Sequence, residues 1–119
     1  MSGLAMVAVV SAYSLRFIRY WDAEGRVVGD AGPKVARSLP RVPGLRMFYD
    51  QSDADDPHQE INEVGRLVVE AFGYPCQAEM RGKLCIYLAD AEGVPVDMPL
   101  WLRDRIQEKF SRARAATRA

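Results

Sequence analysis

The side chains able to break bonds or hold metals are few in this chain of 119 residues. They are one histidine, His58, two cysteines, Cys76 and Cys85, and a cluster of carboxylates at Asp50, Asp53, Asp55, Asp56 and Glu60. A cysteine nucleophile would need His58 beside Cys76 or Cys85, and the spacing gives no reason for it. A Gly-x-Ser-x-Gly elbow, a phosphate-cradling glycine loop and a dinucleotide fingerprint are all missing from the sequence. Carboxylates with an imidazole can ligate a divalent cation, but an EF-hand count from Asp50 puts Ala54 at the fifth ligand position. Negative charge just before a helix is also favoured by the helix dipole, which explains the cluster without a metal. Glu79-Met80-Arg81 approaches the Glu-x-Lys of metal nucleases, yet an arginine cannot serve as a tuned base near neutral pH. No catalytic residue, metal or cofactor is expected, and a metal-dependent enzyme is the least supported function.

Two other groups of residues suit recognition. Arg103, Arg105, Lys109, Arg112, Arg114 and Arg118 crowd the C-terminal segment, offset by Asp104 and Glu108. Cations near a helix C-terminus complement its dipole, and the same cations can meet a phosphate backbone. Arg105, Lys109, Arg112, Arg114 and Arg118 are therefore the candidate nucleic-acid contacts, although no aromatic residues interleave with them to stack bases. The second group is Met98, Leu100 and Trp101, after the strand-like Val94-Pro95-Val96. Trp and Met beside Arg are typical of interface centres. With Asp53 and Asp55 of the acidic cluster they are the candidate protein contacts, and an exposed edge strand beside Trp101 would also permit homodimerisation.

Charge is balanced overall, with 16 basic and 16 acidic residues, but it is segregated. Residues 1–49 carry seven basic and three acidic side chains, and residues 100–119 six and two. Residues 50–60 carry five acids and no base. Zero net charge argues against a surface devoted to nucleic acid, while local segregation can steer a partner.

The elements that must position these residues read as follows. Leu4 to Tyr13 lacks the cationic start of a signal peptide and is too short to span a bilayer, so it reads as a buried strand running toward Trp21. Asp-Ala-Glu-Gly occurs at Asp22–Gly25 and again at Asp90–Gly93, each copy suited to a tight hairpin turn. The first would pair Leu15–Trp21 with Arg26–Gly29; the second would join Lys83–Ala89 to Val94–Val96, which Pro95 makes an edge strand. Residues 29–44 form a basic loop rich in Pro and Gly, within which Val35–Leu39 is a helical turn or a short edge strand. Leu45–Tyr49 alternates as a strand. Asp56-Pro57 predicts the start of a helix that runs to Phe72 and stops at Gly73, with Ile61, Val64, Leu67, Val68, Ala71 and Phe72 on its buried stripe. Cys76–Met80 would pair with Lys83–Ala89 through a two-residue or a three-residue turn, in neither register bringing Cys76 and Cys85 into bonding geometry. Asp97 would cap a last helix from Pro99 to about Ala115, buried through Leu102, Ile106, Phe110 and Ala113, with residues 114–119 fraying.

The whole is one α+β domain over residues 1–119, an antiparallel sheet of about five to six strands built from hairpins, with two helices packed on one face. Unpaired cysteines and the absence of a leader point to the cytoplasm. By elimination the function expected is a non-catalytic protein–protein interaction module, such as a small bacterial or phage regulator, inhibitor or immunity-type factor. A nucleic-acid-associated protein is the alternative.

Overall fold

The computed structural model describes residues 5–19, 34–76 and 79–118. Strands β1 (Met6–Val10), β2 (Leu15–Arg19), β3 (Lys34–Ser38), β4 (Leu45–Asp50) and β5 (Leu84–Ala89) form an antiparallel sheet in the order β2-β1-β5-β4-β3. The two-residue β6 (Pro95–Val96) pairs with the end of β5. A one-turn helix, α1 (Gln51–Asp55), follows β4, and two longer helices, α2 (Glu63–Ala71) and α3 (Leu100–Arg118), pack together on the sheet. Among the described residues no helix is long and apolar enough to cross a membrane. This is the expected α+β architecture.

The first hairpin differs from the expectation. Rather than one strand running toward Trp21, the chain folds back at Ser11–Ser14, so that Val10 faces Leu15 and Met6 faces Arg19. The turn contains neither Gly nor Pro. Ser11 Oγ accepts the N–H groups of Tyr13 and Ser14, while the Ser11 N–H donates to the Ser14 carbonyl. Hydroxyls thus supply turn chemistry that the usual breakers would have announced. The expected partner strand Arg26–Gly29 and the first Asp-Ala-Glu-Gly copy lie outside the described residues. The second copy turns as expected: Asp90 Oδ1 accepts from the N–H groups of Glu92 and Val94, and the Gly93 N–H donates to the Asp90 carbonyl.

The second hairpin is also corrected. β5 is flanked by β1 and β4, with Ile86 opposite both Ala8 and Met47, so no lateral position is left for Cys76–Met80. Gln77 and Ala78 of that expected strand lie outside the described residues; the Met80 carbonyl accepts the Asn62 N–H at 2.7 Å, and Arg81, just after it, bridges to Ile61. The two cysteines form no disulfide with each other, Cys85 being buried in β5 and Cys76 half-buried. The run Val35–Leu39 resolves as edge strand β3.

Helix α2 starts later than the Asp56-Pro57 signal predicts. Asp56 makes a local turn instead, its Oδ1 accepting the His58 N–H and its carbonyl the Gln59 N–H. The true cap is Asn62, whose Oδ1 accepts the Gly65 N–H. Ile61 consequently stands outside the helix and is exposed, while Val64, Gly65, Val68 and Val69 are buried. Gly73 ends the helix as expected, its N–H and that of Tyr74 closing on Glu70 and Val69.

The helix-side core joins Val10, Met47 and Ile86 of the sheet to Val68 of α2, Phe72 at its C-terminal cap, and Leu102 and Ile106 of α3. The opposite face is buried as well: Val7, Val9, Phe48, Cys85 and Tyr87 form a second apolar cluster, with the Phe48 and Tyr87 rings 5.7 Å apart. Burial on both faces explains why β1 and β5 read as continuous apolar runs rather than alternating ones.

Asp97 does not cap α3. Its Oδ1 accepts the Met6 N–H at 2.9 Å and pairs with the Arg19 guanidinium at 2.5 Å, tying β6 to β1 and β2. Those contacts, Arg19's first and the Met6 N–H second, hold the Asp97 carboxyl below the usual carboxylate range. A lowered folded-state pKa gives stability that is present above the unfolded value and lost as pH falls through the folded one. Both partners are about half exposed, so solvent screening keeps the contribution under about 1 kcal/mol. Asp97→Asn is expected to lower the urea midpoint slightly at neutral pH. In acid, where the native carboxyl is already protonated, variant and parent should unfold together.

Candidate functional site

The chain leaves β6 through Asp97 and Met98 and enters α3 at Leu100. The Pro99 carbonyl accepts the N–H groups of Leu102 and Arg103, and the Arg103 Nε donates to the Met98 carbonyl at 3.0 Å. These bonds fix which way the first turn faces. Leu102 and Ile106 point into the core, so helical periodicity turns Leu100 and Trp101 outward. Leu100 is 71% exposed and Trp101 53%, whereas Met98 is 1% exposed. Met98 is thus corrected from a surface contact to a core residue beneath the turn. The Arg105 guanidinium lies 5.6 Å from the Trp101 ring centroid, a cation–π contact that holds the indole against the helix. Val94, 51% exposed beside β6, belongs to this end of the sheet and was not foreseen; a lone Val in a turn carries no signal.

The structure does not bring Asp53 and Asp55 to that surface. Tyr49 pairs with Leu84 at one end of β5, and Leu88 pairs with Val96 near the other. Helix α1, which contains Asp53 and Asp55, therefore leaves the sheet a strand length away from Trp101, about 17–20 Å. Asp55 accepts from Gln51 within α1, and Asp50, at the end of β4, accepts from the Ser52 N–H and hydroxyl through its Oδ1. Among the described residues no group of three or more His, Cys, Asp or Glu side chains could hold a metal ion.

The α3 cations do not form a free stripe. Arg105 covers Trp101, Lys109 and Arg112 approach Glu108 at 3.6 and 3.8 Å, and Arg114 lies over the Tyr13 ring while its Nη1 donates to the Ala12 carbonyl. Arg118 is exposed at the helix end. The Tyr13 hydroxyl donates to Glu60, so the basic end of α3 lies beside the acidic segment and offsets part of its charge. The described part of the basic loop is wound tightly rather than free: Leu39 is buried, the Leu39 N–H donates to Leu45, and the Arg41 N–H donates to Phe72. β6, expected as an exposed edge, spans two residues alongside β5 and is too short to template strand addition.

A concave site that the sequence did not suggest lies at the α1 end. Tyr49, Ala54, Tyr74, Cys76, Met80 and Leu84 surround a cavity of about 330 Å³, with Glu79, Arg81 and Lys83 at its margin. Burial, and next the neighbouring Tyr74, push the Tyr49 phenol above its usual value; Arg37 opposes this, and Cys76 and Asp55 add to it. Its walls come from the end of β4, from α1 and from the segment after α2, so no local spacing could reveal it. Comparison with family models, with curated proteins and with solved structures finds no match to this chain.

Proposed function

We propose that the chain is a non-catalytic protein-binding module whose contact surface is the first turn of α3. The observation that supports this reading is the outward placement of Leu100 and Trp101 on a rigid helix whose adjoining residues, Met98 and Leu102, are fully buried. An indole pre-oriented by Arg105 and flanked by an exposed leucine presents a large apolar contact with little ordering left to do on binding, which is how interface anchors gain affinity. A small cytoplasmic regulator, inhibitor or immunity-type factor, of bacterial or phage origin, is the role such a surface would serve, and two cysteines that are not joined in a disulfide suit a reducing compartment.

The test is affinity capture with the tagged chain, with and without nuclease, repeated for Trp101→Ala and Leu100→Ser. A stoichiometric protein should survive nuclease and be lost with either variant. Trp101→Ala should weaken its binding by about 30-fold, the loss of an interface anchor worth about 2 kcal/mol. The melting temperature should fall by less than about 3 °C, as for a surface substitution. A large fall would make Trp101 a packing residue. Recovery of nucleic acid, lost with nuclease together with every protein, would transfer the function to Arg105, Lys109, Arg112, Arg114 and Arg118.

A further inference from the structure

The cavity at the α1 end has the size of a small-molecule site, at about 330 Å³. Its lining is mostly apolar and includes two aromatic rings. The Tyr49 and Tyr74 rings, the Met80 thioether and the Leu84 side chain are the groups that pack well against a flat π-system. Its polar equipment favours an anion. Arg81 is held in the fold, donating to the Gln59 carbonyl at 2.9 Å and pairing with Glu79 at 3.1 Å, so those two margin charges cancel. Lys83 is exposed at the same margin and has no acid paired to it among the described residues. Arg37 acts on Tyr49 from β3, and Arg41 lines the hollow that adjoins the cavity across Tyr74, Pro75 and Cys76. Against these stand Asp55, already bonded to Gln51, and Glu70, which lines the same hollow as Arg41 but is paired with Arg66. The surplus is positive.

We propose that this cavity binds a small planar aromatic acid, its ring between Tyr49, Tyr74 and Met80 and its acidic group toward Lys83. Phenol hydroxyls at the wall can donate to the same acid, and one charge-assisted bond in a partly dry site is stronger than a neutral one. The site is independent of the α3 surface, which lies at the opposite end of the sheet, so either assignment can fail without the other.

The probe is 2-naphthoate, titrated into the full chain and followed by NMR of the tyrosine rings and methionine methyl groups, with 2-naphthylmethylammonium as the charge-reversed control. Saturable shifts at Tyr49, Tyr74 and Met80 are expected, with the cation binding at least about fivefold more weakly, the worth of one marginal ion pair. Bound naphthoate should slow iodoacetamide alkylation of Cys76, the cysteine that lines the cavity. Lys83→Gln should weaken naphthoate binding by about fivefold without moving the melting temperature, because Lys83 is exposed. Ala54→Leu, which places three more carbons in the cavity, should abolish binding. The proposal is overturned if no shift saturates by about ten millimolar probe, if anion and cation bind alike, if Lys83→Gln changes nothing, or if the shifts gather at Trp101.

Discussion

Asn62→Ala is expected to lower the unfolding free energy by about 3 kcal/mol, a large share of the 5–15 kcal/mol typical of a domain this size. Among the described residues Asn62 is the buried polar residue of the core, 1% exposed, and every polar atom of its side chain is bonded. Its Oδ1 accepts the Gly65 N–H at 2.8 Å, and its Nδ2 donates to the carbonyls of Val10 and Gly82, each at 3.0 Å. Its backbone N–H and carbonyl hold Met80 and Arg66. One residue therefore ties the end of β1, the start of α2 and the turn before β5. Removing the side chain loses a helix cap, about 1 kcal/mol, and takes one hydrogen bond from each of two carbonyls at roughly 1 kcal/mol each. Urea denaturation followed by circular dichroism measures the loss, and a change under about 1 kcal/mol would show that water replaces the amide freely.

Asn62→Asp separates the two halves of that role. The carboxylate keeps the cap but turns an acceptor toward two carbonyl oxygens, so at neutral pH it should destabilise at least as much as Ala. Burial and those carbonyls would raise the folded-state pKa of the new acid, so the native state would bind more protons than the unfolded one. Its stability relative to Asn62 should therefore recover as pH falls through the folded value toward the unfolded one, where the protonated acid can donate one bond again. Gly65 belongs to the same unit. A Cβ there would lie 2.7 Å from Asn62 Nδ2 and 2.8 Å from Leu84 Cδ2, so the amide fits only because this helical position has no side chain. Met80, Gly82 and Leu84, which this unit holds, are also cavity residues, and naphthoate binding should weaken with the same substitutions.

The elements legible in the sequence are those whose causes are local. The α3 stripe of Leu102, Ile106 and Ala113 follows from helical period, the Asp90–Gly93 turn from its Asp and Gly, and the β4 strand from alternation. Apart from the Ser11–Ser14 turn, closed locally by a serine hydroxyl rather than by Gly or Pro, what was missed depends on contacts distant in sequence. Asn62 reads as an ordinary polar residue until β1 and the Gly82 turn are placed against it, and Asp56, with the same capping chemistry, is the more conspicuous signal. Nor does the placement of β5 between β1 and β4 follow from any neighbouring residues, since Ala8 and Ile86 are far apart in the chain. The candidate contacts divided in the same way. Periodicity turns Trp101 outward, but only the strand register separates it from Asp53 and Asp55. Met98 precedes the helix, where no period applies, and its burial is decided by the neighbouring β6 and Leu102.

Gly44→Ala is expected to be more damaging still, at about 4 kcal/mol, and a second glycine shows why. Gly44 and Gly93 both sit in the left-handed region, with φ of +81° and +83°. An L-residue there is strained by about 1–2 kcal/mol whatever surrounds it. A Cβ on Gly93 would meet only the Arg46 Nη1 at 3.9 Å, ordinary contact with a flexible tip. On Gly44 it would lie 2.4 Å from the Ala89 carbonyl oxygen. That oxygen cannot yield easily, because the Ala89 N–H is bonded to the Gly44 carbonyl at 2.8 Å and Ala89 pairs with Pro95. Relief requires moving the end of β5, which adds the loss of one hydrogen bond and about 1–3 kcal/mol of overpacking. Urea unfolding of both variants should show Gly44→Ala less stable than Gly93→Ala by at least about 2 kcal/mol. Equal losses would assign the whole effect to φ and leave the close approach to Ala89 without consequence. The Asp90–Gly93 turn, β6 and the first turn of α3 all follow from that end of β5, so a Gly44→Ala protein that still folds should also lose partner binding at Leu100 and Trp101.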